Sequence, residues 1–178
     1  MSLTPWKILK SHRPNHWLRI DKVELKSGKP YEAFVFEFQS WANVLALTSD
    51  NQVVLVRQYR HGVQKVMLEL PGGVVDEGED PFEGVKRELM EETGYSSPNI
   101  IEVGRIHPNP AVQQNTLYCY LALDAEKTGE QHFDESEEIE VELIPLDELI
   151  KKTQSGEFTH ALNVAVLYQA LNYLKRIK

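Results

Sequence analysis

The stretch from Pro71 to Gly94 constrains the fold more than any other part of the chain. It reads Pro-Gly-Gly at the end of an apolar run, then an acidic loop, then a helix with written limits. Asp80 is a good N-cap, Pro81 suits the first helical position, and Glu83 completes an Asp-x-x-Glu capping box. Gly94 is placed to close the helix. Helix is therefore expected over 81–93, with Phe82, Val85 and Leu89 as its buried stripe. Strand, glycine loop, capped helix and glycine stop form an architecture that an ordinary surface helix does not need.

The same stretch is strongly acidic. Asp76, Glu77, Glu79, Asp80, Glu83, Glu88, Glu91 and Glu92 face only Lys86 and Arg87. Glu88, Glu91 and Glu92 occupy i, i+3 and i+4, so one helix face carries three carboxylates. Like charges at that spacing oppose the helix by a few tenths of a kcal/mol per pair, roughly. A hard cation reverses that sign, and Mg²⁺ binds through carboxylates while leaving room for substrate phosphates. The plain reading, a solvated acidic face, is the commoner fate of a charge run. The glycines and the loop acid Glu79 on its flank favour a site.

The rest of the chain reads as a mixed α/β domain. Strands are expected over 17–25, 31–38, 41–48, 52–59, 66–70, 100–106, 115–123 and 139–144. Val53 to Val56 is continuously apolar, which suits a strand buried on both faces. A short helix over 146–152 and a longer one over 161–175 complete the set. The organisation expected is an N-terminal strand extension, 1–40, and a main domain, 41–178, whose mixed sheet lies between helices. The extension's exposed strands call for a covering partner.

Composition narrows the function. Apolar residues make up 42% of 178 residues, enough for a core and too many for a disordered chain. No apolar run approaches the roughly 18 residues that span a bilayer, so no membrane role is expected. No basic and apolar leader is visible at the N-terminus. The single cysteine, Cys119, lies in an apolar strand, fits a buried small hydrophobe and suits a reducing cytoplasm. Net charge is −8, a poor basis for general nucleic-acid binding. An anionic substrate would need a divalent metal to screen the repulsion.

Gly73-x5-Glu79-x7-Arg87-Glu88-Leu89-x-Glu91-Glu92-x-Gly94-Tyr95 resembles the signature of the Nudix hydrolases at every fixed position, with Tyr95 where an aliphatic is commoner. Seven identities at about 6% abundance each recur by chance on the order of once in 10⁸ windows, so the match is specific. Arg57-Gln58-Tyr59-Arg60, Glu69-Leu70-Pro71-Gly72-Gly73, the Pro108-Asn109-Pro110 loop and the acidic 134–138 loop look like the ADP-ribose pyrophosphatase branch. The resemblance covers about residues 17 to 174. Two departures bear on the substrate: Pro71-Gly72-Gly73 replaces Pro-Ala-Gly, and Gln113-Gln114-Asn115 stands where many relatives carry an acid.

The resemblance implies a Nudix fold and Mg²⁺-dependent hydrolysis of a nucleoside diphosphate sugar, with Mn²⁺ as a substitute. ADP-ribose would yield AMP and ribose 5-phosphate. It implies metal ligation by Glu88 and Glu92, with Glu91 and the Gly72 carbonyl as further ligands. Arg87 would orient the carboxylates, and Glu79 would brace the loop. A general base is expected on the late acidic loop, Glu135 before Glu137, with Glu138 third. Arg57 and Arg60 are candidate phosphate or nucleotide contacts, with a salt bridge as the plain alternative. Gln113 and Asn115 are candidate selectivity residues. Trp17 and His107 are read as structural. A homodimer is expected from the strand extension. Rival functions are cleavage of GDP-mannose or ADP-glucose, sanitising of a nucleoside triphosphate, or nucleotide binding without turnover.

Overall fold

The computed structural model describes residues 4–132 and 138–175. The chain divides into two compact units, Met1–Gln39 with His107–Thr116, and Ser40–Ile106 with Leu117–Lys178.

The smaller unit is built on an antiparallel three-stranded sheet, β1 (Lys7–Asn15), β2 (Leu18–Glu24) and β3 (Pro30–Phe36), in that order. The second and third strands follow the expectation; β1 is an addition to it. Every residue of β1 is exposed, so the strand carries no burial alternation to read. An ion-pair network ties the sheet to the segment after it. Arg19 donates to both oxygens of Asp21 and to Glu37, and Arg13 donates to both oxygens of Glu37. The 107–116 segment joins β3 through the Phe36 N–H, which donates to the Val112 carbonyl at 2.7 Å.

The larger unit holds β4 (Trp41–Leu47), β5 (Gln52–Arg60), β6 (Lys65–Glu69), β7 (Gly72–Val74), α1 (Pro81–Thr93), β8 (Tyr95–Ser96), β9 (Asn99–Ile106), β10 (Leu117–Leu123), β11 (Glu126–Lys127), β12 (Ile139–Pro145), α2 (Leu146–Ser155) and α3 (Ala161–Tyr173). Its main sheet runs β12-β5-β4-β10-β9, with β6 on β5 and β7 on β4. The β4–β10 pair is parallel, and β9–β10 and β5–β12 are antiparallel, so the sheet is mixed. The two-residue period of β4 builds both core layers. Leu45 and Leu47 pack with Leu117, Cys119, Leu121, Leu146, Leu149, Val166 and Leu167 on the side of α2 and α3. Ala42, Val44 and Ala46 pack with Tyr120, Ala122, Val85 and Leu89 on the side of α1. The sheet therefore lies between helices, as expected.

Local chemistry accounts for most element limits. Asp80 accepts the Phe82 N–H at 2.8 Å, and Gly94 closes α1 in the left-handed region at φ 72°. Two details differ from the expected helix. Glu83 pairs with Lys86 at 2.8 Å, one turn along the surface, so the cap rests on Asp80. Phe82 stays exposed and meets Tyr120 edge-on, leaving Val85 and Leu89 as the buried stripe. Val53 to Val56 are buried throughout. The 115–123 strand starts at Leu117, because Asn115 turns its Nδ2 onto the Gln39 carbonyl at 3.0 Å. Cys119 is fully buried, and burial pushes its thiol up to about 12. Among the described residues no helix is long and apolar enough to cross a membrane.

Candidate active site

The site grows from the contact between β7 and the solvent-facing side of α1. β7 pairs with β4 through Gly72↔Asn43, Ala42↔Gly73 and Trp41↔Val74. This register requires the bare glycines. A Cβ on Gly72 would stand 2.3 Å from the Ala42 carbonyl oxygen, and its φ is 145°. A Cβ on Gly73 would stand 2.6 Å from the Glu88 carboxyl group, so the missing side chain is the space that Glu88 occupies. A strand ending in two glycines thus lets backbone and carboxylates meet closely.

Arg87 organises the acids. Its Nε and Nη2 donate to the two oxygens of Glu79, each at 3.0 Å. Its Nη1 donates to Glu88 Oε1 at 2.9 Å and Glu91 Oε2 at 3.1 Å, and its Nη2 reaches the Val74 carbonyl at 3.2 Å. One planar fork therefore joins the loop, the strand and the helix, a task for which a lysine point charge is unsuited. Glu79 also accepts the Asp76 N–H at 3.0 Å. The guanidinium first, and that N–H second, hold the Glu79 carboxyl below the usual carboxylate range. The surrounding acids push Arg87 itself further up, so it stays charged.

Glu92 lies one turn beyond Glu88 and is only 5% exposed. Its Oε2 accepts the Gly72 N–H at 2.8 Å. Glu88 and Glu92 both line a cavity of about 600 Å³, together with Gly72, Gly73, Asp76 and Arg87. Glu91 is not among the lining residues and is more exposed than Glu88.

The donor set fits a divalent cation. The donors are oxygens of carboxylates and backbone, the ligands that hard cations select. The absent Gly73 side chain lets the Glu88 carboxylate sit against β7 at the cavity wall. Among the described residues no three acidic or histidine side chains already converge as a metal cluster. Arg87 Nη1 ties Glu88 to Glu91, and the Gly72 N–H holds Glu92, so donors of the chain itself engage these acids.

The other expected residues fall in different places. Arg60 lines the cavity, and its Nε and Nη2 donate to the two Glu69 oxygens at 2.8 and 2.7 Å. Arg57, three residues earlier on β5, pairs instead with Glu142 of β12 and lines a separate depression with Lys65 and Lys152. Gln113 and Asn115 belong to the smaller unit. There the Gln113 N–H donates to the Asn109 carbonyl, and Asn115 is buried. His107 Nδ1 lies 3.4 Å from the Asn115 carbonyl, and Trp17 rests against His16 and Phe38. Glu135 and Glu137 lie outside the described residues, whereas Glu138 is exposed.

Several cavity residues were assigned no role from the sequence: Asn43, Gln58, Glu69, His160 and Asn163. Glu69 is buried, and the Asn163 Oδ1 accepts the Leu70 N–H next to it. The one available clue was His160, a residue type uncommon at a helix N-cap.

The chain is similar to several known proteins. The NUDIX domain model matches residues 38–162, well over half the chain. An ADP-ribose pyrophosphatase of Bacillus subtilis (strain 168) is 28% identical over 141 residues, covering 79% of this chain and 76% of the relative. A methanol dehydrogenase activator of Bacillus methanolicus is 30% identical over 162 residues, 88% of each chain. A crystal structure of an ADP compounds hydrolase superposes with a TM-score of 0.83 at 22% identity, covering 99% of this chain and 97% of that one. At that identity it speaks for the fold alone.

Proposed function

The chain belongs to the Nudix hydrolase family, and on that premise we propose that it cleaves the pyrophosphate bond of a nucleoside diphosphate sugar, foremost ADP-ribose, giving AMP and ribose 5-phosphate. The family works with a divalent metal; Mg²⁺, with Mn²⁺ as a substitute, is the ion we assign. The observation that carries the reading is the Arg87 fork, which ties Glu79 to Glu88 and Glu91 beside an acid-lined cavity. The Bacillus subtilis relative, named an ADP-ribose pyrophosphatase, supports the choice of substrate.

Glu88 and Glu92 would hold the metal, with Glu91 and the Gly72 carbonyl completing the protein's share. A cation held there would supply charge neutralisation of the diphosphate, polarisation of a phosphoryl oxygen and a lower pKa for bound water. The chain's own residues do the positioning, which dominates phosphoryl transfer. The Gly72 N–H fixes one oxygen of Glu92 and thereby the direction of the other. Arg87 holds Glu88 through a hydrogen bond to Oε1, and Glu79 holds Arg87. Arg60, forked on Glu69, lines the same cavity. Arg57, Gln113 and Asn115 remain candidate substrate contacts. The attacking water delivers its proton to a carboxylate oxygen of Glu135, with Glu137 as the second choice. The protein acts as a cytoplasmic homodimer.

The test is hydrolysis of ADP-ribose, ADP-glucose, GDP-mannose, UDP-glucose, NADH and dGTP in Mg²⁺, with phosphatase added to release phosphate from the products. Preference for ADP-ribose supports the reading, and preference for a hexose nucleotide or for dGTP overturns the substrate. Glu135→Gln is expected to lower kcat by roughly 10²–10⁴, the range of a positioned base. A loss under about tenfold removes Glu135 from that role.

A further inference from the structure

The cavity has a second wall that the phosphate chemistry leaves unused. His160 sits at the N-cap of α3, yet its side chain makes no capping bond. The imidazole lines the cavity and is 26% exposed. Its two nitrogens have different surroundings. Nδ1 lies 3.0 Å from Asn163 Nδ2. Nε2 lies 3.9 Å from Glu69 Oε2, too far for a hydrogen bond, and has no hydrogen-bond partner among the described residues.

A chain of hydrogen bonds decides which nitrogen carries the proton. The Leu70 N–H can only donate, so the Asn163 atom facing it is the amide oxygen. The opposite atom, Nδ2, is then a donor and points at His160 Nδ1. Nδ1 must accept, and the proton of the neutral imidazole resides on Nε2. Asn163 is buried, which keeps its amide from turning. The result is a neutral N–H donor held open to the cavity.

Its neighbours indicate what it binds. The Glu69 carboxylate is nearby, which disfavours an anionic oxygen against a neutral one. Both Glu69 oxygens already accept from Arg60. An open, uncharged N–H donor beside a carboxylate suits a hydroxyl oxygen, which accepts without carrying charge. We propose that His160 is a substrate-positioning residue, donating its Nε2–H to a sugar hydroxyl of the nucleotide sugar in a tautomer dictated by Asn163. The sugar half of this inference rests on the proposed function; the tautomer does not.

Nitrogen-15 NMR of the histidine-labelled protein reads the tautomer directly, with His160 assigned from the His160→Gln spectrum. The expected state is Nε2–H. Asn163→Asp keeps an acceptor for Leu70 and replaces the donor facing His160 with an oxygen, so Nδ1 should become protonated. A wild-type Nδ1–H signal overturns the proposal. In EDTA, where turnover stops, ADP-ribose and ribose 5-phosphate should shift the Nε2 signal and inorganic phosphate should not. An equal shift with inorganic phosphate, or no shift with any of the three, overturns the hydroxyl assignment. In kinetics with the best substrate of the nucleotide panel, His160→Phe should raise KM roughly five- to fiftyfold with kcat within about threefold. His160→Gln, which can place an amide N–H near the lost Nε2, should stay within about threefold of the wild type. Equal losses in both variants would mark a packing role and end the proposal. Failure of ADP-ribose in the panel with the Nε2–H tautomer intact would count against the substrate reading alone.

Discussion

At the scale of single residues, the two glycines of β7 separate fold from chemistry. Gly72→Ala would drive a Cβ into backbone, the Ala42 carbonyl oxygen and Asn43 Cα, at a φ that side chains rarely adopt. Neither neighbour can rotate away, so the expected outcome is a lower melting temperature and little soluble protein. Gly73→Ala meets only the end of the Glu88 side chain. That carboxylate can swing aside, so the expected variant melts near the wild type, binds metal at least about tenfold more weakly and loses activity in proportion. Calorimetry with a metal titration checks both, and a Gly73→Ala protein with unchanged metal affinity would refute this account of Glu88. The Glu79–Arg87 fork carries its own pH signature. The folded pKa of Glu79 lies below its unfolded value, so its contribution is present above the ordinary carboxylate range near pH 4 and is lost as pH falls through the lowered value. Thermal melts between pH 3 and 7 should show Glu79→Gln less stable than the wild type at neutral pH. The difference should close toward the acid end. A constant difference across that range would argue against the ion pair as its source.

At the scale of elements, what the sequence displayed depended on how local the cause was. The helix α1 was legible to the residue because both of its ends are written in it, Asp80 and Pro81 at one and Gly94 at the other. Asp80→Ala should therefore cost about 1 kcal/mol and lower the melting temperature by roughly 2–4 °C in a chain of this size. No change in a thermal melt would mean that the Phe82 N–H finds another acceptor. Strands whose evidence is not local were missed. β1 has no buried side to alternate with, and β7 is three residues led by two glycines, which read as loop until β4 is seen beside them. The site divides the same way. Arg87, Glu88, Glu91 and Glu92 share one helix, so spacing alone put them on one face. Glu69, His160 and Asn163 meet only because the end of β6 and the start of α3 come together in the folded unit. No periodicity announces such a meeting. Arg57 and Arg60 were indistinguishable by spacing, and their partners set them apart, Glu142 on β12 for one and Glu69 at the cavity for the other.

At the scale of the whole molecule, the smaller unit poses a question of assembly. The unit exposes Trp6, Ile8, Trp17, Tyr31 and Phe34, each at 49% or more, with Tyr31 and Phe34 on opposite faces of β3. Several of these rings gather in groups, Trp6 with Tyr31 and Trp17 with Phe38, and Phe36 stacks on Phe38 at 5.4 Å. Single exposed apolar residues are ordinary on a protein surface, whereas grouped aromatics on a three-stranded sheet mark a surface that works by being covered. A second copy of the chain is the simplest cover for the face that carries Phe34 and Phe36, because a two-fold interface makes one patch complementary to itself. Light scattering should then give twice the 20.5 kDa chain mass at micromolar concentration. The double variant Trp17→Ser, Phe34→Ser should move that mass toward the single chain and leave the melting of the larger unit in place, since neither residue belongs to its core. A wild-type mass of one chain would leave this face to a different partner and remove the dimer from the account.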